Sequence, residues 1–442
     1  METKRLILQV ARLDRNYKKE VHFSFFAEDE QYTYEGKAPV SALFWKNEVL
    51  KENSRILFLF PFSLPLQDFS GCTDEYLQYC SQIDQARYRP SDEAYAQEVA
   101  RKHPFIENES FLMLSCIGKY KVGSHLYEFE EFKDRTIDDI TLEILSCLVN
   151  EYSDIEELYV DITAGHNLYV TAMLSAVMRF IPIYELMHGF KKQLKAMVLY
   201  SDPIVPGIDK VNLYVSPFRA RGFMELPLRN VDPNQIKSLV STLWGKDKRR
   251  MESFYLEYFP ALFFSIKQGF VLLIPKLIKH IEEELKIRPD DLLIQQTFSK
   301  SIDKKKRYSM VYAFFFCFAM YKGFYEKFKG FPDKLVVRVE RQGEKVEISG
   351  IEEEERWKSA FDDCHLKDVF GSFKSELQKL IKEVDNTSYQ KNPRFDPRNF
   401  VAHAGLEKNM TKLSKKEADC YEVTLSDGVL SYIKKIVNEC KK

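Results

Sequence analysis

Residues 157–180 read ELYVDITAGHNLYVTAMLSAVMRF, and the fold turns on this stretch. Glu157–Asp161 is an apolar run of strand length that stops on an acid. Ile162–His166 is a short polar turn with a glycine at position 165, and a long apolar helix begins near Asn167. In open α/β sheets, ligands settle beyond the carboxyl ends of strands, beside helix N-termini. Gly165 permits close backbone approach, and Thr163 and Asn167 carry hydrogen-bond donors suited to a phosphate or a base. A purely structural reading stands beside this one, with Thr163 as the helix N-cap and Gly165 serving only the tight turn.

The same alternation extends outward through the first half. Arg5–Ala11, Arg55–Phe62, Phe111–Ile117, Leu194–Tyr200 and Lys210–Val215 read as further strands, with a helix over Thr136–Tyr152. Several strands are apolar on both faces, as strands buried between two helix layers are, so the spacing predicts a doubly wound, Rossmann-like α/β sheet. The pattern changes after Arg219–Gly222 and the prolines at 227 and 233. Helices are predicted over Asn234–Trp244, Lys248–Gln268, Val271–Lys286, Asp291–Ser301, Tyr308–Lys329, Trp357–Val384 and Ser426–Cys440. Gln342-Gly343, between Leu335–Glu340 and Lys345–Ile348, marks a small β-hairpin. The expected domains are therefore 1–222 (α/β), 223–300 (a helical linking region) and 301–442 (mainly helical with the hairpin).

Composition narrows the function. A chain of 442 residues with 45% hydrophobic and 30% charged residues is globular, of two or three domains. Lys plus Arg number 65 and Asp plus Glu 66, for a net charge of -1, which excludes a bulk cationic nucleic-acid binder and leaves room for a local basic groove. The apolar run at the start is too short for a signal peptide. Phe254–Ile266 and Met310–Tyr321 fall short of the roughly 18–20 residues that span a bilayer. A cytoplasmic protein with no membrane association is expected. No pair of the eight cysteines has C-x-x-C spacing, so no metal site is expected, and Cys116, Cys147 and Cys317 sit in apolar runs as core residues.

The other strand ends offer groups compatible with the turn. After the first strand come Arg12, Asn16 and Tyr17, after the second Ser63, and after the third Gly118 and Lys119. Such a cleft suits a phosphorylated ligand that contains a base. With no G-x-G-x-x-G after the first strand, an ordinary dinucleotide cofactor is disfavoured.

A second motif lies at Arg394–Leu406, RFDPRNFVAHAGL. Asp396 is a natural N-cap and Pro397 a natural first helical residue. Asn399 and His403 then share one helix face, while Arg398 points about 140° away. Two copies facing each other across a two-fold axis would bring both Arg and both His into one cleft. Their chemistry fits metal-free RNA cleavage: His carries protons near neutral pH, and Arg holds developing phosphate charge in a two-pronged fork. With 21 Arg and eight His in the chain, chance supplies about 0.4 pairs at this spacing, so spacing alone also accommodates a surface Arg beside a core-edge His.

Taken together and in this order, the two motifs resemble the CRISPR-associated CARF–HEPN ribonucleases that accompany type III CRISPR systems. The likeness covers nearly the whole length. Asp161-Ile-Thr-Ala-Gly-His-Asn167 looks like the sensor's Asp-x-Thr-x-Gly turn, and Arg398-Asn399-Phe-Val-Ala-His403 looks like the HEPN motif. The resemblance implies a Rossmann-like CARF sensor over 1–222 and a HEPN ribonuclease domain over 301–442. It implies a homodimer that binds cyclic oligoadenylate, most commonly cyclic tetraadenylate, and then cuts single-stranded RNA without a metal or other cofactor. Arg398 and His403 would be catalytic and Asn399 supporting. Arg12, Asn16, Tyr17, Ser63, Gly118, Lys119, Thr163, Ala164, Gly165, His166 and Asn167 would line the messenger site. Many relatives carry His directly after the Thr, where this chain has Ala164, with His166 two positions later. The alternative is a non-catalytic ligand-sensing regulator that binds nucleic acid through the helical half, beginning with Asn234–Arg250.

Overall fold

The computed structural model describes residues 4–11, 20–51, 53–61, 63, 109–122, 125–128, 135–203, 210–219, 231–294, 304–342, 345–362, 367–386, 405–406, 411–417, 419–426, 428–431 and 433. The chain divides into two compact units, one of Met1–Tyr184 with Gln193–Phe223, the other of Glu185–Lys192 with Met224–Lys442.

The first unit is built on an eight-stranded sheet in the order β3-β2-β10-β9-β8-β1-β4-β5. Its strands are β1 Arg5–Val10, β2 Val21–Ala27, β3 Tyr32–Ala38, β4 Ser54–Pro61, β5 Ser110–Leu114, β8 Glu157–Asp161, β9 Lys195–Ser201 and β10 Lys210–Pro217; β6 Lys119–Val122 and β7 His125–Glu128 pair apart from it. The run β9-β8-β1-β4-β5 is parallel throughout. Both of its faces are apolar: Leu6, Leu8, Leu57, Leu59, Leu158 and Val160 are buried on one, and Ile7, Ile56, Phe58, Phe60, Tyr159 and Leu199 on the other. That is why these strands read as continuous apolar runs.

The remaining strands depart from the doubly wound expectation. β10 runs antiparallel to β9, and the β2–β3 hairpin completes the edge, so the sheet is mixed. The hairpin was missed although Val21–Phe25 alternates apolar and polar residues, a strand pattern that Phe26 and Ala27 then break. After it, α1 Ser41–Phe44 widens into a π-helical stretch over Trp45–Leu50. Trp45 packs edge-on against Phe25 at 4.6 Å, joining the hairpin to the core.

Helix α2, Ile137–Glu151, starts on a reciprocal cap in which Thr136 N–H donates to the Asp139 carboxylate and Asp139 N–H to the Thr136 hydroxyl. Helix α3, Asn167–Met187, runs seven residues past the expected end at Phe180, through Pro182. Pro182 forgoes the bond to the Met178 carbonyl, and Met178 is on the solvent side at 51% exposure, away from the buried core. α3 is the one helix among the described residues long and apolar enough to cross a membrane, and 56% of that window is buried inside the fold. Near its end the Tyr184 hydroxyl donates to the Ile155 carbonyl at 2.6 Å in a buried setting. Tyr184→Phe should therefore lower stability by about 1 kcal/mol, read as a shift in the thermal midpoint.

The second unit is helical with a small sheet. Pro233–Trp244 is capped by Asp232, whose carboxylate accepts from Asn234 N–H. Lys248–Ser253, Phe254–Tyr258 and Phe259–Gln268 continue one another, with π geometry in the middle segment. Pro260 supplies no donor, and the hydrogen-bond ladder widens just ahead of it. Leu273–Glu283 follows, and Lys304–Phe328 is buried all round from Ala313 to Tyr321, as a central core helix is. Instead of a helix from Asp291, a single tight turn spans Pro289–Leu292 and Leu293 is extended, while residues 295–301 lie outside those described. The helix expected over Trp357–Val384 is two, Glu354–Asp362 and Lys367–Asn386.

Two glycines set close packing in this unit. A Cβ on Gly323 would lie 1.9 Å from the Leu186 carbonyl oxygen, and one on Gly189 2.5 Å from Lys327 Cε. The expected hairpin is present as β11 Lys334–Gln342 and β12 Lys345–Ile351, and it belongs to a four-stranded antiparallel sheet, β12-β11-β14-β13. β13, Thr411–Glu417, reads TKLSKKE, too polar to signal a strand; β14 is Cys420–Leu425. Cys116, Cys147 and Cys317 are buried.

Candidate functional site

From β1 the sheet continues to β4 and β5 on one side and to β8 and β9 on the other. The chain thus changes direction between β1 and β8, and a crevice opens beyond the carboxyl ends at such a point. Gln9 on β1 stands directly opposite Asp161 on β8. Both are fully buried, with Asp161 at 0% exposure.

A bare carboxylate in such a place is costly unless donors converge on it. Here they do. Ser41 Oγ donates to Asp161 Oδ2 at 2.6 Å and Gln9 Nε2 to the same oxygen at 3.0 Å. Thr163 N–H and Thr163 Oγ1 donate to Oδ1 at 2.9 and 2.6 Å. Gln9 Nε2 also reaches Ser41 Oγ at 2.9 Å and Thr163 Oγ1 at 3.4 Å, and the Ser41 and Thr163 hydroxyls touch. Burial pushes the Asp161 carboxyl up from its ordinary value, and the hydrogen bonds from Ser41, Thr163 and Gln9 oppose that shift.

The turn above this cluster presents exposed backbone. Gly165 has φ +111°, and a Cβ there would sit 2.5 Å from Val10 Cβ, so the turn lies flat on the end of β1 and only glycine fits. Gly165, His166 and Asn167 are exposed and Thr163 and Ala164 half-buried. Helix α3 opens on His166, whose carbonyl accepts from Tyr169 and Val170 and whose Nδ1 accepts from Leu168 N–H at 3.4 Å. Thr163 is thus not the helix cap: its hydroxyl points back to Asp161. Sequence reasoning missed Gln9 and Ser41. A lone glutamine inside the apolar strand RLILQV was the available signal.

The other expected ligand residues are placed as follows. Ser63, beyond β4, is fully buried, and its hydroxyl finds no hydrogen-bond partner among the described residues. Gly118, with φ +105°, and Lys119 are exposed at the start of β6. Between β5 and that glycine, Ser115 donates both N–H, at 2.8 Å, and its hydroxyl to Glu143 on α2. Burial raises the Glu143 carboxyl to about 7 against those hydrogen bonds. The folded state then holds this proton more tightly than the unfolded chain, so its contribution to stability is present below the ordinary carboxylate range and lost as pH rises through about 7. Glu143→Gln should flatten that part of the thermal midpoint's pH profile, gaining on wild type as pH rises. Arg12, Asn16 and Tyr17 lie outside the described residues, as do Arg398, Asn399 and His403. Just after the last of these, Leu406 is buried and Gly405, at φ +82°, lies against Phe270.

Residues 10–203 match the family described as CRISPR system endoribonuclease Csx1, CARF domain, and residues 344–426 match CRISPR system endoribonuclease Csx1, HEPN domain. Together the matches cover more than half of the chain. The chain belongs to the CRISPR-associated CARF–HEPN ribonuclease family. No curated protein matches it. The CARF match contains the Asp161–Asn167 turn, and the HEPN match contains Arg398, Asn399 and His403. A Rossmann-like CARF domain followed by a HEPN domain is the layout expected from the sequence.

Proposed function

We propose that this CARF–HEPN protein is an endoribonuclease switched on by cyclic oligoadenylate, most commonly the tetraadenylate, and that it works as a homodimer on single-stranded RNA. The observation that carries the proposal is the pairing of two motifs with two family matches. The Asp-x-Thr-x-Gly turn stands at the sheet's direction change inside the CARF match, and the Arg-Asn-x-x-x-His sequence lies inside the HEPN match. The exposed turn and the adjoining helix start offer backbone donors to a phosphate.

In the nuclease, a ribose 2′-oxygen attacks the adjacent phosphorus and the bond to the 5′-oxygen of the next nucleotide breaks. The products are a 2′,3′-cyclic phosphate and a 5′-hydroxyl. His403 moves the proton between these oxygens. Arg398, always charged, steadies the phosphorane-like oxygens, and Asn399 orients the imidazole or holds the phosphate. All of this is chemistry for the chain's own side chains, with no metal in any step.

The test is cleavage of a fluorescent single-stranded RNA in EDTA, with and without cyclic tetraadenylate or hexaadenylate. Cleavage that requires a cyclic oligoadenylate and leaves 2′,3′-cyclic phosphate ends is expected. Equal cleavage with and without both rings would overturn the activation, and dependence on added metal would overturn the mechanism.

A further inference from the structure

We infer that Gln9 and Ser41 are positioning residues for the messenger turn, holding it in its ligand-receiving shape through Asp161 and Thr163. The inference rests on the proposed ligand reading of that turn. Thr163 spends its one hydroxyl proton on Asp161 Oδ1, at 2.6 Å, and has none left to donate to a ligand. A ligand would meet the exposed Gly165–Asn167 segment, whose position depends on where Thr163 is anchored.

That anchor spans three separate segments: β1 through Gln9, the first turn of α1 through Ser41, and β8 through Asp161. Asp161 Oδ2 takes its two donors from Gln9 and Ser41, and Oδ1 takes its two from Thr163. The two halves of one carboxylate are thereby tied to the scaffold and to the turn respectively. An ionised carboxylate accepts only, so removing a scaffold donor leaves a buried oxygen short of a partner. The carboxylate then swings toward another partner, and Thr163 loses its fixed acceptor. Gln9 faces Asp161 in strand register and Ser41 reaches it from the helix side, so neither substitutes for the other.

Calorimetric titration of the full-length protein with cyclic tetraadenylate tests this. Gln9→Met and Ser41→Ala should each weaken binding by about 10-fold or more. The double variant should be no weaker than the weaker single, because either change alone releases the same carboxylate. Thr163→Ser should bind as wild type does and Thr163→Val should not. Tyr184→Phe, which removes another buried hydrogen bond of the same unit, should lower the thermal midpoint with unchanged affinity. If Gln9→Met and Ser41→Ala lose thermal stability yet bind as wild type does, the residues merely stabilise the fold and the inference is wrong. If wild type binds neither cyclic tetraadenylate nor hexaadenylate, the ligand reading fails instead. Amide exchange of residues 163–167 then decides the anchor separately: faster exchange in Gln9→Met supports it, and unchanged exchange overturns it.

Discussion

Replacing Arg398 or His403 by alanine should reduce RNA cleavage by about 10³-fold or more, with cyclic tetraadenylate binding unaffected. Two effects combine in that figure. The reaction develops negative charge on phosphate oxygens, and a fixed guanidinium steadies that charge better than mobile water does. It also requires a proton to leave the 2′-oxygen while another reaches the departing 5′-oxygen, and imidazole does both near neutral pH. The residues act on one transition state, so the double variant should lose little more than the worse single variant. RNA degradation at the wild-type rate by either variant would remove the motif from the reaction. Single-turnover cleavage beside a binding titration makes the comparison.

Gly165→Ala should have the largest effect on the sensing side. The backbone at φ +111° is strained for any residue with a Cβ, and that Cβ would stand 2.5 Å from Val10 Cβ and 2.7 Å from its Cγ1. Conformational strain and overpacking each cost about 1–3 kcal/mol. The turn has to lift off β1 to accommodate the methyl group, and messenger affinity should fall by about 100-fold, on the order of 2.7 kcal/mol. Gly118→Ala is the matched control. Its φ of +105° is nearly the same, but a Cβ there meets nothing within 4 Å, so it carries the strain without the collision. Val10→Gly, which removes the colliding Cβ as well as the Cγ atoms, should recover part of the Gly165→Ala loss and none of the Gly118→Ala loss. Equal affinity losses for the two glycine variants would show that the collision with Val10 is immaterial.

The sequence was most legible where burial is two-sided. β1, β4 and β8 are apolar on both faces, and their runs announce a parallel core without ambiguity. The fold was least legible where strands are half-exposed or polar. Thr411–Glu417 pairs into a sheet through its backbone while five of its seven side chains are exposed, so no apolar pattern marks it. Helix ends were obscured for another reason. Proline signals a stop, but α3 passes Pro182 with one hydrogen bond forgone, because its buried side is apolar on either side of that residue. In the site, Gly165 was readable because a conformational demand attaches to the residue type itself. Thr163 was readable as important, but the direction of its hydroxyl was not, since the acceptor lies two residues back and the supporting donors come from residues 9 and 41.

The buried carboxylate at Asp161 has a consequence for how this family can drift. Its four donors come from three side chains and one backbone amide, at positions up to 154 residues apart in the chain. A single exchange of Gln9, Ser41, Asp161 or Thr163 to an apolar residue strands a polar atom in the interior, whereas a concerted exchange to apolar or differently bonded residues does not. Substitutions at these four positions should therefore arise together across lineages. The quartet would pass between lineages as one inherited character, even where the exposed residues of the turn diverge to suit a different ring.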